Sequence, residues 1–239
     1  MKRGFTLAEV LVTLGIIGVV SAMTIPTLMR NHQRQVYVTR LHKVYNIMTE
    51  GFALLMQETN AVDIRESLMS QGHAADVPEI FLKSHFKIAM DCGLESSKCF
   101  ADKYKSLNGR EASSTFLEED YGDMYSVSLS DGTSVALSIS ANASKALAER
   151  YGIGHVYVDT NGKEGPNVAG RDFFRMYIYP DGVIDDYLVG LKCRKEGVCD
   201  GASSPQERRQ KNFDQYCMWP EDTDGCFGRI LNDGWKMNY

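Results

Sequence analysis

The chain has 239 residues, of which 44% are hydrophobic, and its formal net charge is −5. That length allows one sizeable hydrophobic core, with or without a tail. The mild charge argues against a nucleic-acid-binding protein and against a disordered acidic one. No nucleic acid is therefore required as a partner.

Residues 7–29 form a run that is apolar enough to enter a membrane. As a helix this run would be about 35 Å long, whereas the hydrocarbon core of a bilayer is about 30 Å thick. Glu9 does not fit, because a charge at the bilayer centre costs roughly 2.5–3.5 kcal/mol. A secretory signal peptide and a plain signal anchor are both open interpretations, but neither explains this glutamate.

The residues that surround Glu9 form a pattern, Lys-Arg-Gly-Phe-Thr-Leu-Ala-Glu, at positions 2–9. This pattern resembles the start of type IV prepilins and type II secretion pseudopilins. In that family a short basic leader ends in glycine and is followed by Phe-Thr-Leu-x-Glu. The resemblance implies that residues 1–4 are a leader, that prepilin peptidase cuts between Gly4 and Phe5, and that it methylates the new amine of Phe5.

The same resemblance gives Glu9 a role in assembly. Cleavage creates a charged amine, and a carboxylate four residues later lies one helical turn away. Pairing the two charges lowers the cost of burying either one. The resemblance implies that the preferred partner is the amine of a subunit already in the fibre. It also implies four classes of partner: prepilin peptidase, other pilin or pseudopilin subunits, an inner-membrane assembly platform and a cytoplasmic ATPase.

The family resemblance further implies a single-pass protein of the bacterial inner membrane, which later enters a pilus or pseudopilus fibre. Its N-terminus would be cytoplasmic and its globular domain periplasmic or extracellular. One observation disagrees. Basic residues are usually more frequent on the cytoplasmic side of a membrane span, but here four of them follow the apolar run on the other side: Arg30, Arg34, Arg40 and Lys43. We follow the leader motif and interpret the basic stretch as a solvated helix face that contacts membrane lipid before assembly.

Helical periodicity continues beyond the apolar run and predicts one helix over residues 5–59, about 80 Å long. Residues 5–29 would be its transmembrane and assembly segment, and residues 30–59 an amphipathic stalk. Pro26 removes a backbone donor and is expected to kink the helix. The stalk carries an apolar stripe that would pack on a folded domain: Tyr37, Leu41, Val44, Met48, Phe52 and Leu55.

Residues 60–190 are predicted to form a globular domain. Residues 77–88 are typical of a short amphipathic helix, and Asp131-Gly132 between two alternating runs predicts a β-hairpin. Short loops between successive strands favour an antiparallel sheet. The predicted fold class is therefore α+β, with the long helix covering one face of the sheet, which agrees with the pilin-like fold that the leader implies. The predicted strands are residues 125–129, 135–139, 155–159, 173–179 and 183–187.

The segment 159–172 is rich in oxygen-bearing side chains and resembles a loop of pseudopilin-like proteins. Calcium takes carboxylate, amide and backbone oxygens, so calcium is the one cofactor that this segment suggests. The alternative is a glycine-rich turn with Asn161 and Gly162 at positive φ and no cofactor. The candidate ligands are Asp159, Asn161, Glu164 and Asp172.

Six cysteines are spaced too widely for a zinc knuckle. Disulfides fit better, since four of the six fall in a Cys-rich tail at residues 191–239, and disulfides place the body outside the reducing cytosol. Pairing of sequence neighbours is favoured, and six separate buried thiols remain the alternative. The candidate pairs are Cys92–Cys99, Cys193–Cys199 and Cys217–Cys226. Trp219, Phe227 and Trp235 are expected to anchor the tail on the domain, or to be exposed for a partner.

The sequence contains no Gly-x-Ser-x-Gly elbow, phosphate loop or His-Glu-x-x-His motif. We therefore predict a substrate of prepilin peptidase rather than an enzyme. Its predicted function is that of a structural subunit of a type II secretion pseudopilus or a type IV pilus-like fibre. One alternative is a low-copy minor pilin that binds a surface, DNA or secreted cargo at the fibre tip. A second alternative is a signal-anchored enzyme that never polymerises.

Overall fold

The computed structural model describes residues 4, 6–69, 76–112, 124–140, 144–219 and 224–239. The chain divides into two compact units, Met1–Val36 and Tyr37–Tyr239. The helices are α1 (Leu7–Thr59), α2 (Ile64–Met69), α3 (Val77–His85), α4 (Lys145–Tyr151), α5 (Leu191–Glu196), α6 (Pro205–Asn212) and α7 (Cys226–Asn232). The strands are β1 (Ile88–Gly93), β2 (Tyr125–Leu129), β3 (Ser134–Ile139), β4 (Gly154–Asp159), β5 (Phe173–Ile178) and β6 (Ile184–Asp185).

The long predicted helix is confirmed as α1, and all six residues of its apolar stripe are buried. The stripe joins a core cluster that includes Val127, Leu137 and Val156 from alternate positions of the sheet. Gly51 lets α3 approach closely, because a Cβ atom there would lie 2.7 Å from Cζ of Phe81. Pro26 lies inside α1, and the kink at this residue stays a prediction.

The six strands form one antiparallel sheet in the order β1-β2-β3-β4-β5-β6, so each strand pairs with its neighbours in sequence. Hairpin β2–β3 turns at Asp131-Gly132, as the sequence predicts, and Gly132 has φ 84°. The predicted α+β class with an antiparallel sheet is therefore confirmed.

The sheet face that points away from the α1 stripe is also buried. A second core cluster covers it, in which Ala136, Tyr157 and Phe173 from the strands pack with Phe100 and other residues of the 92–112 segment. The serines of this face are satisfied by the covering segment: Ser134 Oγ donates to the Cys99 carbonyl at 2.8 Å, and Ser126 Oγ to the Gly93 carbonyl at 3.0 Å. The polar half of the alternating pattern therefore faces protein rather than solvent.

Two predicted elements are shortened by three residues in the structure, whereas the bounds of the other predicted elements agree to within two residues. The helix predicted over 77–88 ends at His85, because Phe86 is extended (φ −114°, ψ 147°) and Ile88 opens an unpredicted strand, β1. Register shifts interrupt the pairing of β1 with β2, so β1 lacks the regular alternation that identifies a strand. The last predicted strand, 183–187, is reduced to the two residues of β6.

The six cysteines form three disulfides in the structure, Cys92–Cys99, Cys193–Cys199 and Cys217–Cys226, all between sequence neighbours. Polar contacts join the tail to the end of the sheet. The Arg209 guanidinium lies 2.6 Å from an oxygen of Asp185, and the Gly225 amide donates to Oδ1 of Asp186 at 3.1 Å. The tail and the body accordingly lie in one compact unit.

The tail aromatics divide between the two roles that the sequence left open. Phe227 is fully buried, and Trp235 stacks on His42 of α1 with ring centroids 3.9 Å apart. Both anchor the tail, as expected. The expectation was wrong for Trp219, which is 64% exposed next to the Cys217–Cys226 loop.

Candidate functional site

The first turn of α1 contains a reciprocal set of hydrogen bonds between Thr6 and Glu9. The amide and the hydroxyl of Thr6 both donate to Oε2 of Glu9, at 2.8 and 2.7 Å, and the Glu9 amide donates to Oγ1 of Thr6 at 3.3 Å. This arrangement is a capping box, which satisfies backbone donors that the helix itself leaves unpaired. The Glu9 carboxylate is thus already bonded within its own chain, at the helix end that favours a negative charge.

The role of Thr6 was missed in the sequence, although the signal was present. A threonine followed three residues later by glutamate, just before an apolar run, is the sequence pattern of a capping box. The basic leader and the cleavage pattern overlap with this capping pattern, and they explain Glu9 without assigning a role to Thr6. One short segment therefore carries a peptidase signal and a helix-start signal together.

Gly4 is exposed, and among the described residues no atom approaches within 4 Å of the position that a Cβ would take there. Phe5, the predicted site of methylation, lies outside the described residues. The pairing of its amine with Glu9 therefore stays a prediction.

The first part of α1 has the composition and length of a membrane span. Its most apolar stretch of 18 residues has a mean hydropathy of 2.0 and contains no buried residue. Within the described ranges, α1 is the one helix that is long and apolar enough to cross a membrane. Two hydroxyls inside the run are satisfied locally: Thr13 Oγ1 donates to the Val10 carbonyl and Thr24 Oγ1 to the Val20 carbonyl, both at 3.0 Å. A helix whose polar groups are satisfied internally is suited to lipid.

Comparison with known protein families matches residues 1–25 to the prokaryotic N-terminal methylation motif. This motif is the prepilin-type cleavage and methylation signal of type IV pilins and pseudopilins. The long helix packed on an antiparallel sheet, with disulfides in the C-terminal region, is consistent with a pilin-like fold. No curated protein and no solved structure matches the chain. The motif is typical of structural rather than catalytic proteins.

The candidate calcium ligands of the 159–172 segment are held by protein donors. Asp159 accepts from the Tyr104 hydroxyl at 2.5 Å and from the Asn161 amide at 3.1 Å. Asp172 accepts from the amides of Asn167 and Val168, at 2.7 and 2.6 Å.

The other two candidate ligands, Asn161 and Glu164, are hydrogen-bonded to each other within the loop. The Asn161 side-chain amide donates to the backbone carbonyl of Glu164. Gly162 adopts the expected positive φ of 64°, but the same expectation was wrong for Asn161, and the asparagine of this loop with a positive φ is Asn167, at 53°. Within the described ranges no three His, Cys, Asp or Glu residues cluster as metal ligands do. The contacts are those of the glycine-rich turn, and calcium binding at this loop stays a prediction.

Burial raises the pKa of Asp159 to about 7, although the Tyr104 hydroxyl that bonds to it opposes the shift. Burial likewise raises the pKa of Asp186 to about 7. A carboxyl whose pKa is higher in the folded state stabilises the fold at low pH, and this stability is lost as the pH rises through the folded value. His155 acts in the opposite direction below its usual pKa of 6.5, because burial and the nearby Arg175 lower its pKa.

Burial also raises the pKa of Asp172. Three carboxyls with raised pKa values against one histidine with a lowered pKa predict that the unit Tyr37–Tyr239, called the folded unit below, is more stable at pH 5 than at pH 8. Asp159→Asn removes one of these three carboxyls, so the slope of unfolding free energy against pH should change by about 1.4 kcal/mol per pH unit near pH 5, and by about half of that near pH 7. Thermal and urea unfolding of the full chain in mild detergent, followed by tryptophan fluorescence, measures both quantities. An unchanged slope in the variant would show that Asp159 titrates normally.

Proposed function

We propose that the chain is a prepilin-like structural subunit, cut after Gly4 by prepilin peptidase and assembled with other pilin or pseudopilin subunits into a fibre. The observation that carries the proposal is the coincidence of three features at one end of the chain. Residues 1–25 match the methylation motif, α1 begins directly after the predicted cut, and its first part is apolar enough to span a bilayer.

In the proposed mechanism the chemistry of this protein is assembly rather than catalysis. Cleavage removes Lys2 and Arg3 and leaves a single amine on Phe5, one helical turn from Glu9. An amine and a carboxylate that enter an apolar fibre core must pair, because either charge alone is expensive to bury. The capping box holds the Glu9 carboxylate at the start of α1, where an incoming amine can take over one of its bonds.

The location that we propose follows from the same features. The apolar segment anchors the subunit in the inner membrane with its N-terminus in the cytoplasm, and the disulfide-bonded unit lies in an oxidising compartment outside. An inner-membrane platform and a cytoplasmic ATPase would extract the subunit into the fibre. Both the type II secretion pseudopilus and the type IV pilus fit this scheme.

Mass spectrometry of the mature N-terminus tests the proposal. We expect a chain that begins at Phe5 and carries a methyl group on its amine when the protein is expressed with a prepilin peptidase. The same chain expressed without the peptidase is the control and should retain Met1–Gly4. A mature terminus after Ala22, as a signal peptidase would produce, or an uncut chain in the presence of the peptidase, would contradict the proposal.

A second candidate is a low-copy minor pilin at the fibre tip. About 180 residues follow the predicted stalk, which is large for a repeated building block. Immunogold labelling of purified fibres separates the two, since label along the whole length would exclude the tip role.

A further inference from the structure

The basic stretch that follows the apolar run is divided by the structure into two pairs. Arg40 and Lys43 are bound by the folded unit: the Arg40 guanidinium donates to the Thr160 carbonyl at 2.7 Å, and the Lys43 amine lies 2.6 Å from Oδ2 of Asp131. Arg30 and Arg34 belong to the other compact unit, Met1–Val36. The single acidic residue of that unit, Glu9, lies more than 20 residues away from both arginines in the sequence.

The position of Arg30 along α1 is the second observation. Its Nε donates to the Pro26 carbonyl at 3.4 Å, so the side chain runs back toward the apolar run rather than onward along the helix. Helical side chains generally point toward the N-terminus of their helix. The Arg30 guanidinium therefore lies level with the last turn of the apolar segment, which is where headgroups meet a helix that spans a bilayer.

The charge pattern supplies the third observation. Arg30 and Arg34 are four residues apart and so share one face of α1, where like charges repel. No acidic residue occurs between Val10 and Thr49 to relieve this repulsion from within the helix. A counter-charge for this pair is available at the membrane surface, where lipid phosphate groups lie at the depth of the last turn of the apolar run.

We infer that Arg30 and Arg34 form a binding site for the phosphate groups of anionic phospholipids, in the leaflet from which the folded unit emerges. The inference rests on the proposed function, since it needs the apolar run of α1 to lie in a bilayer. It also accounts for basic residues on the side of the membrane where their number is usually low. Arg40 and Lys43 therefore bind groups of the protein itself, whereas Arg30 and Arg34 bind lipid.

Native mass spectrometry of the full chain in mild detergent tests the inference, with phosphatidylglycerol and phosphatidylcholine as the two probes. We expect phosphatidylglycerol to bind preferentially. Each of Arg30→Gln and Arg34→Gln should weaken that binding by roughly 5-fold, and the effect should shrink at high salt. Lys43→Gln is the matched control, because it removes an equal charge that Asp131 already neutralises, and it should leave lipid binding unchanged.

Three results would overturn the inference. Equal binding of the two lipids by the wild-type chain would show that the arginines do not select anionic headgroups. Displacement of phosphatidylglycerol by millimolar inorganic phosphate would show a site for soluble phosphate. Unchanged lipid binding by Arg30→Gln/Arg34→Gln, combined with failure to enter fibres, would show that the arginines bind a second copy of the chain.

Flotation of the full chain with phosphatidylcholine vesicles separates this inference from the proposed function. A chain that fails to float is not membrane-anchored, and both proposals are then wrong. A chain that floats but shows no lipid preference leaves the proposed function standing and removes only the lipid site.

Discussion

Glu9→Gln is expected to reduce incorporation of the mature chain into fibres by at least 100-fold, while membrane insertion and cleavage after Gly4 proceed normally. The substitution removes the charge but keeps an oxygen that can accept from Thr6. In an apolar fibre core the amine of Phe5 would then have no counter-charge, and an unpaired buried charge costs about 3–5 kcal/mol, which corresponds to two or more factors of ten. Pull-down of fibres, followed by quantification of the incorporated chain, measures the effect.

Thr6→Ala is the matched control for this prediction. It removes the hydroxyl that bonds to Glu9 in the capping box, while the backbone amide of residue 6 and the charge of Glu9 remain. The substitution should therefore cost only about 0.5–2 kcal/mol of helix stability. Fibres should still form, in reduced amount. If Glu9→Gln assembled normally while Thr6→Ala did not, Glu9 would act as a helix cap and the amine–carboxylate pairing would be wrong.

The second large effect is expected at the stripe of α1. Leu41→Ala should lower the free energy of unfolding of the folded unit by about 2–5 kcal/mol, because Leu41 is 0% exposed and its removal leaves a cavity between α1 and the sheet. Thermal unfolding of the full chain, followed by near-ultraviolet circular dichroism, reports on the packing of this unit.

Leu54→Ala makes the same chemical change on the same helix at a side chain that is 52% exposed. Its effect should stay within about 0.5 kcal/mol, as is usual for surface positions. Equal destabilisation by the two variants would mean that helix propensity, rather than packing of the stripe on the sheet, determines the stability of this region.

At the candidate site, residue types at fixed spacing were sufficient to predict what the comparison later matched. The motif at residues 1–25 follows from the order of residues along the chain, because such a signal is a short linear segment of sequence. The individual roles of Gly4, Phe5 and Glu9 stay predictions. The capping partner Thr6 was also readable from its spacing to Glu9. The partners of Arg40 and Lys43 were not, since Thr160 and Asp131 lie more than 80 residues away.

The calcium hypothesis illustrates the same limit in the body. The sequence places oxygen-bearing residues close together along the 159–172 segment, which is a local property. The phenol of Tyr104, 55 residues from Asp159 in sequence, donates to that carboxylate in the folded chain. No local pattern indicates this contact, yet it determines which oxygens are available to a cation.

The sequence by itself determined the elements whose signals are local. These are the methylation motif at residues 1–25, the apolar run, the periodic stripe of α1 and the hairpin at Asp131-Gly132, whose signals lie in the spacing of residues along the chain. Only the tertiary structure decided that both faces of the sheet are buried, that β1 joins the sheet, and which groups bind Arg40 and Lys43. These outcomes depend on contacts between segments far apart in the chain, where packing and hydrogen bonding override local preference.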